Sequence, residues 1–336
     1  MPSSPRRTTL AAVAASAGLS VATVSKVLNG RSDVAPATRS LVQSLLLEHG
    51  YVPRASRRAQ EARPATVEVW VDGELCAYST EIIKGAIEAG AESGVGVVVT
   101  HMKADDDASW VGDLVAAGRL AMIILANEPT SAQVAALSLA QLPVVVVDPP
   151  NPPAGPVSSV GSTNFAGGLS ATQHLLALGH RRIAYLGGPA NAASNQARMQ
   201  GYRAAMEAAG VPVPPEYVRT AGFCYPDGMK EATALLELPS PPTAVFAVSD
   251  ECAAAAMQVA RARGLRIPED LSVVGFDDTE IATMTSPQLT TVRQPLREMG
   301  KVALRTALRL ASGEKIESHH VELATELVVR ESSLAA

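Results

Sequence analysis

From Thr66 onward, short runs dense in valine and isoleucine recur along the chain, each followed by a longer stretch with helical spacing. The runs are "VEVWV" (67–71), "VGVVV" (95–99), "AMIIL" (121–125) and "VVVV" (144–147). After the proline-rich break "DPPNPPAGP" (148–156) come "RIAYLG" (182–187), "AVFAV" (244–248) and "SVVGF" (272–276). Helical stretches fall near 81–91, 110–117, 132–140, 165–178, 196–209, 228–238 and 251–263. A strand that is apolar throughout must be covered on both faces, and a helical crossover between such strands is what parallel pairing requires. The pattern predicts an α/β core of parallel sheets with helices on both faces. About 270 residues is long for one such sheet, so two doubly wound lobes are expected. Ligands of such sheets sit at the carboxyl ends of the strands, so two facing lobes would put a cleft there.

Composition narrows the setting. Apolar residues make up 47% of the 336-residue chain and charged residues 18%, enough to build packed cores. The longest apolar runs, such as "LAMIILA" (120–126), are strand-length, so no membrane partner is expected. Cys76, Cys224 and Cys252 are odd in number and widely spaced. That argues against a disulfide framework or a zinc cluster and suits the cytoplasm; three separate buried thiols are expected. Charge is divided unevenly. Residues 1–63 carry nine Lys or Arg against three acids, whereas the remainder is acidic within an overall net charge of −5. A basic head on an acidic body favours a polyanionic partner for the head alone.

The first 53 residues read as three short helices. Leu10, Val13, Ala14 and Ala17 share one face, and Gly18 ends that helix. Ser20 suits the N-cap of the next, where Val24, Val27 and Leu28 face inward. A third opens near Pro36 and packs Leu41, Val42, Leu45 and Leu46. Helix, glycine turn and second helix form a helix-turn-helix pattern, whose second helix enters the major groove. On that helix Val21, Ala22, Ser25, Lys26 and Asn29 face away from the small core. Lys26 and Asn29 can reach base edges or phosphates, while Val21 and Ala22 offer apolar contact.

These residues carry a resemblance. "TLAAVAASAGLSVATVSKVLNGRSDVAPATRSLVQSLLLEHGYVP" is similar to the DNA-binding headpiece of the LacI/GalR family of bacterial transcription regulators. The similarity continues through "GHRRIAYLGGP" (179–189), "ARMQGYRAAMEAAG" (197–210), "PTAVFAVSD" (242–250), "GLRIPEDLSVVGFDD" (264–278) and "PQLTTVRQP" (287–295). It implies an all-α headpiece joined to a core like the periplasmic binding proteins. It further implies a homodimeric repressor of a pseudo-palindromic double-stranded DNA operator, controlled by a small effector, with no cofactor. The implied domains are a headpiece at 8–53 and a linker at 54–65. The first lobe takes 66–161 with 294–318, and the second 162–293 with 319–330. The resemblance places Ser20, Val21, Ala22, Thr23, Ser25, Lys26, Asn29, Thr38, Arg39 and Tyr51 at DNA, with Val21, Ala22 and Lys26 reading bases. In the linker the family's minor-groove leucine is replaced by Gln60, which cannot supply an apolar wedge, so Arg57 and Arg58 are expected in the minor groove instead.

In the core the resemblance places Arg198 and Asp277 at the effector, with Tyr78 and Phe223 where relatives stack aromatics on a ring. Asp148, at the end of a strand, and Ser249, where several sugar-responsive relatives carry asparagine, complete the set. A sugar needs hydroxyl partners and an aromatic face, and these residues supply both; a nucleobase is the second choice of effector. Enzyme readings fare poorly. The chain lacks G-x-G-x-x-G before a helix, a phosphate-loop lysine and a G-x-S-x-G elbow, and His319–His320 on a strand would point to opposite faces. The rival class is an exported solute receptor without DNA binding. An alanine-rich run followed by some 45 patterned, basic residues is a poor leader.

Overall fold

The computed structural model describes residues 10–28, isolated positions between 35 and 45, and 65–336 except 72–74, 102–109, 128 and 150–156. Residues 1–64 and 65–336 form two compact units.

In the first unit, α1 (Leu10–Ala17) and α2 (Val21–Leu28) are joined by Gly18, whose φ of +64° is the left-handed turn that glycine adopts without strain. The hydroxyl of Ser20 accepts the backbone N–H of Thr23, satisfying one donor at the start of α2. Val13, Ala14, Val24, Val27 and Val42 are buried together, with Ala17, Leu19 and Leu45 against them. Of the residues expected inward beyond α2, Val42 is buried as expected, whereas Leu41 is 49% exposed.

The second unit holds two sheets. The first runs β11-β5-β4-β3-β1-β2, where β1 is Thr66–Val71, β2 Gly96–His101, β3 Arg119–Leu125, β4 Val144–Val147, β5 Ser158–Ser162 and β11 His320–Leu323. Its recorded pairings are all parallel. The second runs β12-β10-β9-β8-β6-β7, where β6 is Ile183–Gly187, β7 Val218–Thr220, β8 Ala244–Ala247, β9 Ser272–Asp277, β10 Thr290–Arg293 and β12 Glu326–Val328. Here only the edge strand β12 runs antiparallel to its neighbour. The chain passes between lobes after β5, after β10 and after β11. His320–Leu323 therefore belongs to the first lobe, not to the second lobe's expected segment 319–330. It pairs with Ser159–Ser162, and the chain changes sheets only between Leu323 and Glu326.

Helices cover both faces. On the first sheet, α3 (Ala77–Ser93) and the terminal helix Leu296–Ala311 pack over Val67, Val69, Ile123 and Val145. The opposite face buries Trp70, Met122, Ile124 and Val146 together with Val111 and Leu114 of α4 (Trp110–Ala116) and Leu137 of α5 (Ser131–Leu139). On the second sheet, α6 (Asn164–Ala177) and α7 (Ala193–Ala208) pack together on one face, and a helix Asp250–Ala262 on the other. Tyr185, Tyr202, Phe246 and Phe276 fill that lobe's interior at ring separations of 5.4–6.4 Å. The two helices α6 and α7 touch backbone to backbone. A Cβ on Gly168 would lie 2.3 Å from the Arg198 carbonyl oxygen, and one on Gly201 would lie 2.3 Å from that of Phe165. Of the three thiols, Cys252 alone is buried; Cys224 is exposed and Cys76 half-buried, because both lie at helix starts on the strand-end side of their lobes.

Candidate functional site

At the carboxyl ends of the strands, charged and amide side chains from both lobes meet. Arg198, on α7, is 3% exposed. Its Nε donates to Asn164 Oδ1 at 2.8 Å and its Nη1 to the Val248 carbonyl at 2.6 Å. The guanidinium carbon lies 3.7 Å from the ring centroid of Phe276, a cation–π contact. Asp277, at the end of β9, lies 3.9 Å from Nη1 and is 5% exposed. It adopts φ +117°, unusual for a residue with a side chain, and its carbonyl accepts the backbone N–H of Gln294 at 3.3 Å.

Gln294, Ser162 and Asn164 close a circuit around this pair. Gln294 Nε2 donates to Asp277 Oδ1 at 2.6 Å and its Oε1 accepts from Ser162 Oγ at 2.5 Å. Asn164 Nδ2 donates to the Ser162 carbonyl at 3.1 Å. The circuit runs Ser162, Gln294, Asp277, Arg198, Asn164 and back to Ser162. Two of its members, Ser162 and Gln294, sit where the chain passes between lobes, so the site and the lobe connections are mechanically one unit. From the first lobe, Tyr78 at the start of α3 donates its hydroxyl to Asp148 Oδ2 at 2.9 Å. Asp148 follows β4 at φ +51°.

The electrostatics favour a neutral, hydroxylated ligand. Burial pushes the carboxyl of Asp277 well above the usual range, opposed chiefly by Arg198, and burial also raises Asp148, opposed by Arg198 and Tyr78. Burial, with the neighbouring Asp148, raises the Tyr78 phenol. One guanidinium against two carboxylates leaves no surplus positive charge for an anionic group. The site supplies acceptors and donors of the kind that alternate around a sugar ring. A cavity of about 500 Å3 opens beside Asp148 and Asn164.

Of the six core residues expected from sequence, the structure gathers Tyr78, Asp148, Arg198 and Asp277 into this network. Phe223 and Ser249 lie on neighbouring strand-end loops: Ser249 Oγ donates to the Phe223 carbonyl at 2.7 Å. The same hydroxyl caps the helix at Asp250 by accepting the Cys252 N–H, so it is already engaged on both counts. Sequence reasoning missed Asn164, Ser162 and Gln294. The signal available was weak: three polar residues flanking segments without an apolar rhythm.

On the first unit, Val21 is 46% exposed and Ala22 and Lys26 are exposed, whereas Val24 and Val27 are buried; α2 therefore displays the residues expected at bases. Thr23 Oγ1 is 2.9 Å from Ser20 Oγ, which ties both hydroxyls to the helix start. Thr38 is half-buried. Ser25 lies within α2, and its side chain is outside what is described; Asn29, Arg39, Tyr51, Arg57, Arg58 and Gln60 are outside the described residues altogether.

A helix-turn-helix unit joined to a two-lobed core with an interlobe site defines a ligand-responsive DNA-binding regulator, not an enzyme. Residues 9–54 match the family of bacterial regulatory proteins of the lacI type, and residues 172–333 a periplasmic binding protein-like domain. The HTH-type transcriptional regulator CelR of Thermobifida fusca is 37% identical over 338 residues, 97% of this chain and 98% of CelR. The structure of a CelR–cellobiose complex superposes with a TM-score of 0.73 at 35% identity, covering 97% of this chain and 100% of that one. A lac repressor dimer bound to operator and an anti-inducer gives a TM-score of 0.71 at 27% identity, covering 98% and 100%. The chain belongs to the lacI family of bacterial regulatory proteins. The exported-receptor reading falls with that match, because residues 9–54 are accounted for as a DNA-binding unit. No helix among the described residues is long and apolar enough to cross a membrane.

Proposed function

We propose that this protein is a cytoplasmic, homodimeric repressor that binds a pseudo-palindromic DNA operator and changes its operator affinity when a sugar occupies the interlobe site. The observation that carries the reading is the circuit of Arg198, Asp277, Gln294, Ser162 and Asn164. A ligand that displaces any member perturbs two interlobe connections at once. Lobe closure would then alter how a pair of headpieces is presented to two half-sites. Effector and DNA must change each other's affinity by the same factor. Arg198, Asp277, Asp148 and Tyr78 bind hydroxyls, Phe223 offers a ring face, and Ser249 holds the Phe223 loop. In the headpiece, Val21, Ala22 and Lys26 read bases, while Asn29, Thr38 and Arg39 contact or orient the backbone. Arg57 and Arg58 enter the minor groove. The similarity to a regulator crystallised with cellobiose, and to a repressor dimer crystallised on its operator, supports both halves of the reading.

The test is fluorescence anisotropy on DNA from upstream of its own gene, with and without a panel of mono- and oligosaccharides. A saturable, sequence-specific complex whose affinity shifts with one saccharide is expected. Binding that is insensitive to sequence at moderate salt, under every ligand, would overturn the reading.

A further inference from the structure

Beyond the polar circuit, the cavity continues outward along the edge of the first sheet. It starts at Asp148 and Asn164, two members of the site, and runs over β5 and β11 toward Ser159, His320 and Glu322. Strand alternation explains why this strip is open. Val160 goes into the core beneath the terminal helix, so Ser159 and Gly161 point the other way, and their parallel partners are His320 and Glu322. Ser159 Oγ lies 3.0 Å from His320 Nδ1, which orients that ring, and both His320 and Glu322 are exposed. Gly161 forms the trough: a Cβ there would meet only Asp148 Oδ1, at 3.6 Å.

The opposite wall comes from the second lobe. Phe165, in the first turn of α6, lines the cavity and is 46% exposed, whereas Phe246 and Phe276 are wholly buried. In a chain with four phenylalanines, one presented in a cleft facing a row of hydroxyl, imidazole and carboxylate groups needs a reason. That combination of an apolar plate and polar partners is what a pyranose ring requires: its C–H face packs on the aromatic and its rim hydroxyls pair at the edge. The cavity, about 500 Å3, falls in the range of sites for drug-sized ligands, and its lining reaches from Asp148, Ser162 and Asn164 of the polar network to Phe165, His320 and Glu322.

We infer that the Phe165–His320–Glu322 trough is a second sugar subsite, so the effector is an oligosaccharide of at least two rings. One ring lies at Arg198, Asp277 and Asp148, and the next is stacked on Phe165, with Asp148 at the boundary between them. The inference rests on the sugar reading proposed above. Phe165→Ala removes the plate at an exposed position, and Gly161→Leu fills the trough at a backbone conformation open to any residue.

Isothermal titration of the full-length protein with glucose, galactose and xylose, and with cellobiose, cellotriose, lactose and maltose, tests the inference. At least one disaccharide should bind about tenfold more tightly than its component monosaccharides, roughly the size of an aromatic contact plus the polar partners. In Phe165→Ala and Gly161→Leu that advantage should shrink toward unity, with circular dichroism melts like wild type showing intact folds. A monosaccharide that binds as tightly as its oligomers, or variants that weaken both lengths equally, would overturn the second subsite and leave the sugar reading standing. No binding of any saccharide to wild type would overturn both.

Discussion

Replacing Arg198 by methionine keeps most of the side-chain volume and removes the charge, so its consequences can be worked from the contacts. The guanidinium donates to Asn164 Oδ1 and to the Val248 carbonyl, lies over Phe276, and sits 3.9 Å from Asp277. All of this is buried, with Arg198 at 3% exposure and Asp277 at 5%. Breaking a buried ion pair from one side costs about 3–5 kcal/mol, mostly because the remaining charge is left unpaired. Asp277 can escape part of that cost by taking a proton, since Arg198 is what chiefly opposes the rise in its pKa. We therefore expect Arg198→Met to lose about 3 kcal/mol. In that background Asp277→Asn, which removes the stranded charge and retains an acceptor for Gln294, should restore about half. Urea unfolding followed by far-UV circular dichroism, for wild type, both single variants and the double variant, gives the coupling directly. A loss below about 1 kcal/mol in Arg198→Met, or strictly additive effects in the double variant, would refute the account of Arg198 as the charge that opposes burial at Asp277.

Three further outcomes are expected. Gly168→Ala would place a methyl 2.3 Å from the Arg198 carbonyl, forcing α6 and α7 apart; we expect a loss of about 3 kcal/mol and weakened saccharide response, and an unchanged thermal midpoint would contradict the close contact. Asp250 is buried among Thr279 and Thr291 donors, and burial pushes its carboxyl up to about 7 from an unfolded value near 3.8. The folded state then holds the proton longer than the unfolded state, so its contribution is full below pH 4 and is lost between about 4 and 7, at up to about 1.4 kcal/mol per pH unit. Asp250→Asn should flatten that slope in pH-dependent urea unfolding, and an identical slope would refute it. Lys26→Ala should cost about 1–3 kcal/mol on the operator and relax its sequence preference in a binding-site selection; an equal loss on every sequence would make Lys26 a phosphate contact instead.

The strands that were legible and those that were not differ in what fills their buried positions. β1, β3, β4, β6, β8 and β9 bury mostly aliphatic and aromatic side chains, with Glu68, Ser272 and Asp277 as polar exceptions, so the apolar rhythm marks them without help from the fold. In β5 the buried positions are Ser158, Val160 and Ser162, and in β10 they are Thr290, Thr291 and Val292. Hydroxyls there are satisfied by partners far along the chain: Ser162 by Gln294, Ser158 by His319, Thr290 by Ser333 and Thr291 by Asp250. A local window sees only a polar segment. The same cause hides Ser162 and Gln294 as site members, and it misassigned His320–Leu323 to the second lobe.

The individual units are written in local patterns. The spacing of alanine, valine and glycine makes the headpiece turn, alternation from Thr66 makes two sheets parallel but for the edge strand β12, and the family resemblance marks Arg198 and Asp277. Their assembly into a site depends on long-range packing. Burial without counter-charge is unfavourable, so Arg198 and Asp277 had to be enclosed by polar groups, and those groups come from segments 132 residues apart in the circuit from Ser162 to Gln294. Neither residue has a partner within its own helix or strand in that circuit. The contacts exist only because the crossings between lobes bring the ends of the two sheets face to face.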